Sequence, residues 1–148
     1  MRKKGLLVAS LIGVVMLTGC GASFSISASD LEKYSEDNSA VYAAMSDSYT
    51  DTYDYLDGLY VMEKDDVHVE LRDLDTTQNA SKWFESNVED IKDGSKSSSG
   101  SSTSSGGSYT ISTDDMVYRI LFSEDKGIYA YGDTKDSVNK VLADLNIN

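Results

Sequence analysis

The hydrophobic positions of this chain follow a helical period in its first third. From Asp30 onward, apolar and aromatic side chains recur at spacings of three, four or seven residues, which predicts a helical segment over 30–58 that stops at Gly58. The polar patch around Asn38 is a place where this amphipathic helix could divide in two. An alternative interpretation makes Asp57-Gly58 a hairpin turn between two short strands. We prefer the helix because its spacing continues for longer than the alternation does.

Two later segments share one order of elements: strand, acidic turn, strand and helix. The predicted strands are 59–62, 67–72, 116–122 and 128–131. The first helix follows Asp75 or Thr76 and ends near Lys92, and the second follows Asp133 or Thr134. Both faces of 116–122 are largely apolar, which indicates a central strand. The repeated order predicts an α+β fold.

In this fold, the two segments form a tandem β-β-α repeat with a four-stranded antiparallel sheet. We expect both helices on one face, as in a small two-layer sandwich. The N-terminal amphipathic helix then covers the other face, lies alongside or projects as a stalk. The α+β domain is predicted over 59–148.

A low-complexity stretch separates the two segments. Residues 94–108 read GSKSSSGSSTSSGGS and contain no apolar side chain. Such a composition is typical of a flexible, disordered linker. It is either an insertion between paired elements or a boundary between two units.

The first twenty residues have a pattern of their own. The cationic stretch 2–4 precedes an uncharged apolar run over 6–17, which small residues and Cys20 then follow. The run has the length of the apolar region of a secretory signal peptide, and it is shorter than the roughly 20 apolar residues that a membrane span needs. The pattern predicts a signal peptide over 1–19.

The ending Leu17-Thr18-Gly19-Cys20 resembles the lipobox of bacterial lipoproteins. The resemblance implies cleavage between Gly19 and Cys20 and acylation of the Cys20 thiol, with fatty acids such as palmitate. Two acyl chains hold a protein stably on a bilayer. The implied location is the extracytoplasmic face of the cell membrane in a Gram-positive type of cell. Residues 20–29 are then a lipidated tether, since they are mostly small and polar. The alternative is a secreted protein in which Cys20 carries no lipid.

Composition excludes several classes of function. The 25 acidic and 13 basic residues give a formal charge of −12, which repels nucleic acid. Cys20 is the only cysteine and His68, on the polar face of a predicted strand, the only histidine, so a zinc site is not expected. The acids Asp51, Asp54 and Asp57 do not have the spacing of a calcium-binding loop. We predict no metal and no cofactor.

Tyrosine is the remaining unusual feature. Six of the ten tyrosines lie between Tyr34 and Tyr60. Aromatic side chains of this kind stack on sugars, anchor interfaces or fill a shallow core. Tyr42 and Tyr55 fall off the helical stripe, so we predict them as contact residues.

These observations favour a membrane-anchored, non-enzymatic binding or accessory module of the cell envelope, with an envelope protein as its partner. Motifs for nucleophilic or metal-assisted catalysis are absent from the sequence. One alternative is a small envelope hydrolase that uses paired carboxylates, although no pair stands out among so many acids. Another alternative is a solute receptor, although the usual two-lobed receptors are far longer.

Overall fold

The fold is described from a computed structural model of residues 22–49 and 53–148, without the side chains of Ser46 and Ser48. The predicted signal peptide 1–19, its cleavage after Gly19 and the lipidated Cys20 lie outside these residues.

The described chain is a mixed fold of helices and one antiparallel sheet, which is the predicted α+β class. Its helices are α1 (Ala28–Asp37), the single turn α2 (Ser46–Tyr49), α3 (Thr77–Lys92) and α4 (Lys135–Asp144). Its strands are β1 (Val41–Ala44), β2 (Leu56–Lys64), β3 (Val67–Leu74), β4 (Ser97–Ser102), β5 (Gly106–Ser112), β6 (Val117–Ser123) and β7 (Lys126–Gly132). The strand order is β1-β2-β3-β7-β6-β5-β4, and every neighbouring pair is antiparallel.

The sheet has seven strands, so the prediction of a four-stranded sheet is wrong. Its second to fifth strands are β2-β3-β7-β6, and β3 pairs with β7. The β2–β3 and β6–β7 turns each carry an acidic residue at positive φ, Asp65 at 54° and Glu124 at 55°. Thr76 and Thr134 are the N-caps of α3 and α4, and each accepts a hydrogen bond from the backbone three residues on.

The helices lie on both faces of the sheet, so the two-layer arrangement is also wrong. Leu121 of β6 faces α4. It belongs to one of two hydrophobic clusters, the first core, which also contains Val69 and Ile128. The neighbouring Ile120 and Phe122 point to the opposite face and pack against α3 in the second core. Because strand side chains alternate and those of β6 are buried on both sides, the sheet needs a helix on each face. We call the face of the sheet under α1 and α4 the first face, and the face under α3 the second face.

The Ser/Gly segment 94–108 is not a disordered linker. It contains β4, and β4 pairs with β5 from Ser97 opposite Ser112 to Ser102 opposite Gly107. All six residues of β4 are exposed, which explains why the strand shows no hydrophobic signal. Strand pairing uses backbone groups, which serine and glycine supply as any non-proline residue does. Tertiary context therefore overrides the composition.

The predicted helix over 30–58 is wrong beyond α1. The side chain of Ser27 caps α1 and exchanges hydrogen bonds with Asp30, and the helix ends at Asn38, whose side chain donates to the Tyr34 carbonyl. Ser39 then has a φ of 55°, and the chain turns into β1. The hairpin alternative is wrong as well, because Asp57-Gly58 lies inside β2 at an irregularity in its pairing with β3.

The predicted tether 20–29 is wrong for its described part. Phe24 and Ile26 are buried in the first core, and Ala22 packs against that core. α1 already begins at Ala28. Two apolar side chains in a polar segment are enough to dock it when the sheet offers an uncovered apolar surface.

Candidate functional site

A cleft of about 400 Å³ opens on the second face of the sheet. One side of the cleft is the exposed edge of α3, and the other is the chain before and at the start of β2, with Tyr49, Tyr53, Tyr55 and Leu56. Arg72 reaches into it from β3. The volume lies in the range of small-molecule sites.

The helix wall of the cleft is a stripe of mainly polar residues. Its members recur at helical spacing: Asn79, Lys82, Trp83, Ser86 and Asn87. The adjacent stripe of Ala80, Phe84 and Val88 is buried in the second core. The residues that fix α3 on the sheet therefore also hold the cleft stripe in place.

Arg72 and Trp83 contact each other in the wall of the cleft. The guanidinium carbon of Arg72 lies 5.5 Å from the centroid of the Trp83 ring, within the range of a cation–π interaction. Arg72 Nε and Nη2 donate to Glu70 Oε2 at 3.1 and 2.5 Å, two bonds that do not use Nη1.

The Trp83 ring also packs directly over the backbone of Gly127, where a Cβ would lie 2.7 Å from Cε3. Trp83 Nε1 is buried and has no acceptor among the described residues, a state that costs about 1–3 kcal/mol.

The opposite wall exposes three aromatic rings. Tyr49, Tyr53 and Tyr55 are 37%, 43% and 38% exposed. The rings of Tyr53 and Tyr55 lie 5.7 Å apart at an angle of 47°. Exposed aromatic rings beside a cleft offer flat apolar surface to a ligand, together with hydroxyl groups at their tips.

The described lining of the cleft carries positive charge. Arg72 and Lys82 are its ionised side chains, and none of the lining residues that the structure describes carries a carboxylate. Two carboxylates bond lining residues from outside, Glu70 to Arg72 and Asp75 to the side-chain amide of Asn79 at 2.8 Å. This distribution contrasts with the acidic balance of the whole chain.

A polar cluster on β2, β3 and β7 continues from Glu70 along the second face. His68 lies between two glutamates, with Nδ1 at 2.5 Å from Glu63 Oε1 and Nε2 at 3.2 Å from Glu70 Oε1. The Tyr131 ring stacks on the imidazole with centroids 4.7 Å apart. Among the residues that the structure describes, no His, Cys, Asp and Glu side chains are grouped so as to hold a metal ion.

The cluster shifts the pKa values of its members. Hydrogen bonds to Glu70 and Glu63 raise the pKa of His68, although partial burial opposes them. Burial would raise the pKa of Glu70, but hydrogen bonds and charge from His68 and Arg72 outweigh it and lower that pKa. Burial, with smaller effects from Tyr118 and Glu70, raises the pKa of Tyr129 to about 12. The histidine therefore favours its charged form, bonded to two carboxylates.

The two predicted contact residues do not come together. Tyr55 lies in the cleft wall. Tyr42 lies on the first face, where it is half-buried beside Met62 and packs against the first core. Sequence reasoning did not single out Tyr49, Tyr53, Lys82, Trp83 or Arg72. The polar stripe beside the apolar stripe of α3 could have indicated Lys82 as a site residue. No pattern in the sequence predicts that β3 packs close to α3.

No protein-family model, curated protein or solved structure matches this chain significantly. No helix of the described part is both long and apolar enough to cross a membrane. The geometry of the cleft therefore carries the functional argument.

Proposed function

We propose that this protein is a lipid-anchored, extracytoplasmic binding module of the cell envelope, held in the membrane by acylated Cys20 and without catalytic activity of its own. The observation that carries the binding role is the tyrosine-walled cleft on the second face. The anchor comes from the resemblance of Leu17–Cys20 to a lipobox.

The docked N-terminal segment supports a module that sits against the bilayer. Cys20 is two residues from Ala22, a distance of at most about 7 Å along an extended chain. Ala22 lies beside Gly106, where a Cβ would come within 2.5 Å of the Ala22 carbonyl oxygen. The start of β5 and the neighbouring β6–β7 turn would therefore face the lipid. Leu74, two residues after Arg72, donates to the Asp125 carbonyl in that turn, so the cleft lies toward the same end of the sheet.

Binding explains the cleft better than hydrolysis does. A carboxylate hydrolase needs two acids that converge on the substrate. The described lining of the cleft has cations, amides and tyrosines instead. Glu63 and Glu70 do lie close together, but His68 bridges them.

The anchor is tested by fractionating cells that express the full chain or its Cys20→Ala variant. We expect the wild type to incorporate labelled palmitate and to sediment with membranes. The variant should incorporate no label and should appear in the medium or remain uncleaved. Ser25→Ala changes an exposed residue near the anchor and serves as the control. A processed Cys20→Ala protein that still sediments with membranes would contradict the anchor.

The binding role is tested by co-sedimentation of the detergent-solubilised mature protein with an isolated cell-envelope fraction. We expect the wild type to sediment with the envelope and the double variant Tyr53→Ala, Tyr55→Ala to remain in solution. Val41→Ala, at an exposed position on β1, is the control. Equal sedimentation of the double variant and the wild type would rule out the cleft as the binding site.

A further inference from the structure

We propose that the cleft binds an acidic saccharide, that is, a sugar with a carboxylate on or beside its ring. This inference rests on the proposed binding function and names the ligand class. Charge, stacking surface and hydrogen-bonding groups each support it.

Arg72 and Lys82 supply the positive charge. Both cations line the cleft of a protein whose formal charge is −12. A cation that serves only solubility does not have to lie in a cleft, whereas here two cations line the same cleft. Nη1 of Arg72 is not used in the bonds to Glu70, and Lys82 is exposed on α3. Both groups can donate charge-assisted hydrogen bonds, which are about twice as strong as neutral ones, to a carboxylate.

The tyrosine wall supplies the stacking surface. Sugar rings have faces of C–H groups that lie flat on aromatic rings, while their hydroxyl groups stay in hydrogen bonds. Tyr53 and Tyr55 are tilted by 47° to one another, so they offer two differently directed surfaces rather than one slot for a planar aromatic ligand. This geometry fits a puckered ring.

The side-chain amides of α3 supply the hydrogen-bonding groups. Asn87 Nδ2 donates to the Trp83 carbonyl oxygen at 2.7 Å, and Asn79 Nδ2 donates to Asp75. These bonds hold both amides in one orientation and leave the two Oδ1 atoms to accept from ligand hydroxyls.

A peptide ligand fits the cleft less well. Extended peptides usually add to the edge of a sheet or lie in an apolar groove. The edge strands here are β1 and β4, whereas Arg72 belongs to β3 inside the sheet. The helix wall is polar, with amides, a hydroxyl and a cation.

The test uses Trp83, the single tryptophan of the chain, as an internal reporter of the cleft. The mature, detergent-solubilised protein is titrated with the disaccharide of N-acetylglucosamine and N-acetylmuramic acid while indole fluorescence is recorded. Chitobiose, which lacks the lactyl carboxylate, is the matched neutral probe, and glycerol 3-phosphate is a phosphate probe without a sugar ring.

We expect the acidic disaccharide to bind at least about tenfold more tightly than chitobiose, the contrast expected from one added charge-assisted contact. Lys82→Gln should weaken the acidic disaccharide about tenfold and leave chitobiose unchanged. Lys135→Gln removes a cation from α4, on the opposite face of the sheet, and should change neither. Tyr53→Ala should weaken both sugars, whereas Tyr53→Phe should retain most of the affinity.

Four outcomes would overturn the inference. Equal affinity for both disaccharides would exclude a role for the carboxylate. Binding of glycerol 3-phosphate without either sugar would identify a phosphate site, such as one for a lipid headgroup. Absence of binding by every probe, while the protein still sediments with the envelope, would point to an envelope protein and leave the proposed function standing. If the wild-type protein bound none of the probes and also failed to sediment with the envelope, both proposals would be refuted.

Discussion

The contact between Trp83 and Gly127 can be tested by adding a single methyl group. In Gly127→Ala, the new Cβ would lie 2.7 Å from Trp83 Cε3 and 2.9 Å from Cη2, with Cζ3 closer still. Carbon atoms pack best at about 3.5–4.0 Å. The indole would therefore have to retreat by about 1 Å.

The surroundings of the ring make that retreat costly. Trp83 is only 7% exposed, it lies on α3, and Arg72 lies against its ring. Overpacking of this kind costs about 1–3 kcal/mol. For a chain of this size the cost corresponds to a drop in melting temperature of roughly 4–12 °C. The move would also disturb the Arg72 contact at the cleft.

The assay is urea unfolding at constant pH, followed by Trp83 fluorescence and by far-ultraviolet circular dichroism. Gly94→Ala is the matched control, because nothing lies within 4 Å of a Cβ at that position. Its effect measures the loss of glycine flexibility in the unfolded chain, a stabilisation of about 0.4–1 kcal/mol. The difference between the two variants isolates the clash. If Gly127→Ala were as stable as Gly94→Ala, with an unchanged emission maximum, the packing of α3 on β7 described above would be refuted.

Three further predictions concern other parts of the fold. Ile26→Ala should lower the free energy of unfolding in urea by about 2–5 kcal/mol, since Ile26 is only 3% exposed in the first core. His68→Gln should cost most stability between about pH 4.5 and 6.5. The raised pKa of His68 makes its contribution to stability complete below the usual value of 6.5, and this contribution is lost as pH rises through the higher pKa of the folded state. The lowered pKa of Glu70 makes the contribution of Glu70 fade only as pH falls below 4.5. Gly100→Val should detach β4 without unfolding the core, because a Cβ there would lie 2.6 Å from Tyr109 Cγ, and hydrogen exchange should show loss of amide protection confined to the β4–β5 hairpin.

For each of these three predictions, one result would contradict it. A flexible tether would make Ile26→Ala as stable as Ser25→Ala, which changes a neighbouring exposed side chain. A constant stability difference between pH 4 and 9 would show that His68 has no charged partners. Retention of full protection in β4 of Gly100→Val would contradict the close approach of the two strands.

The elements that sequence pattern predicted well are those whose signal is local. The caps Thr76 and Thr134 were each predicted as one of two alternatives with the aspartate before it. They, the ends of α3 and the strand containing Val67 follow from side-chain chemistry within a few residues. β1, β4 and β5 were missed. β1 was assigned to the predicted helix, β4 has no hydrophobic side chain, and β5 begins inside the Ser/Gly segment. β1 and β4 pair with β2 and β5, partners that lie further along the chain.

The candidate site was predictable only in part. Tyr55 was singled out by its position off a helical stripe, although the segment is not the predicted helix, so the reason was wrong while the residue does line the cleft. Tyr42 was chosen on the same ground and lies on the opposite face. Arg72 and Trp83 meet because β3 and α3 pack together, and that contact cannot be read from the spacing of the two residues.

By itself, the sequence determined the α+β class, the acidic balance and the expectation of a lipid anchor, because these follow from composition, local periodicity and a short motif. Tertiary structure decided that the sheet has seven strands, that α3 and α4 lie on opposite faces, and that residues 22–27 dock onto the core. It also brought cations and tyrosines together at one cleft. The physical reason is that strand pairing and face selection depend on what distant segments bury together, a free-energy difference that no single segment encodes.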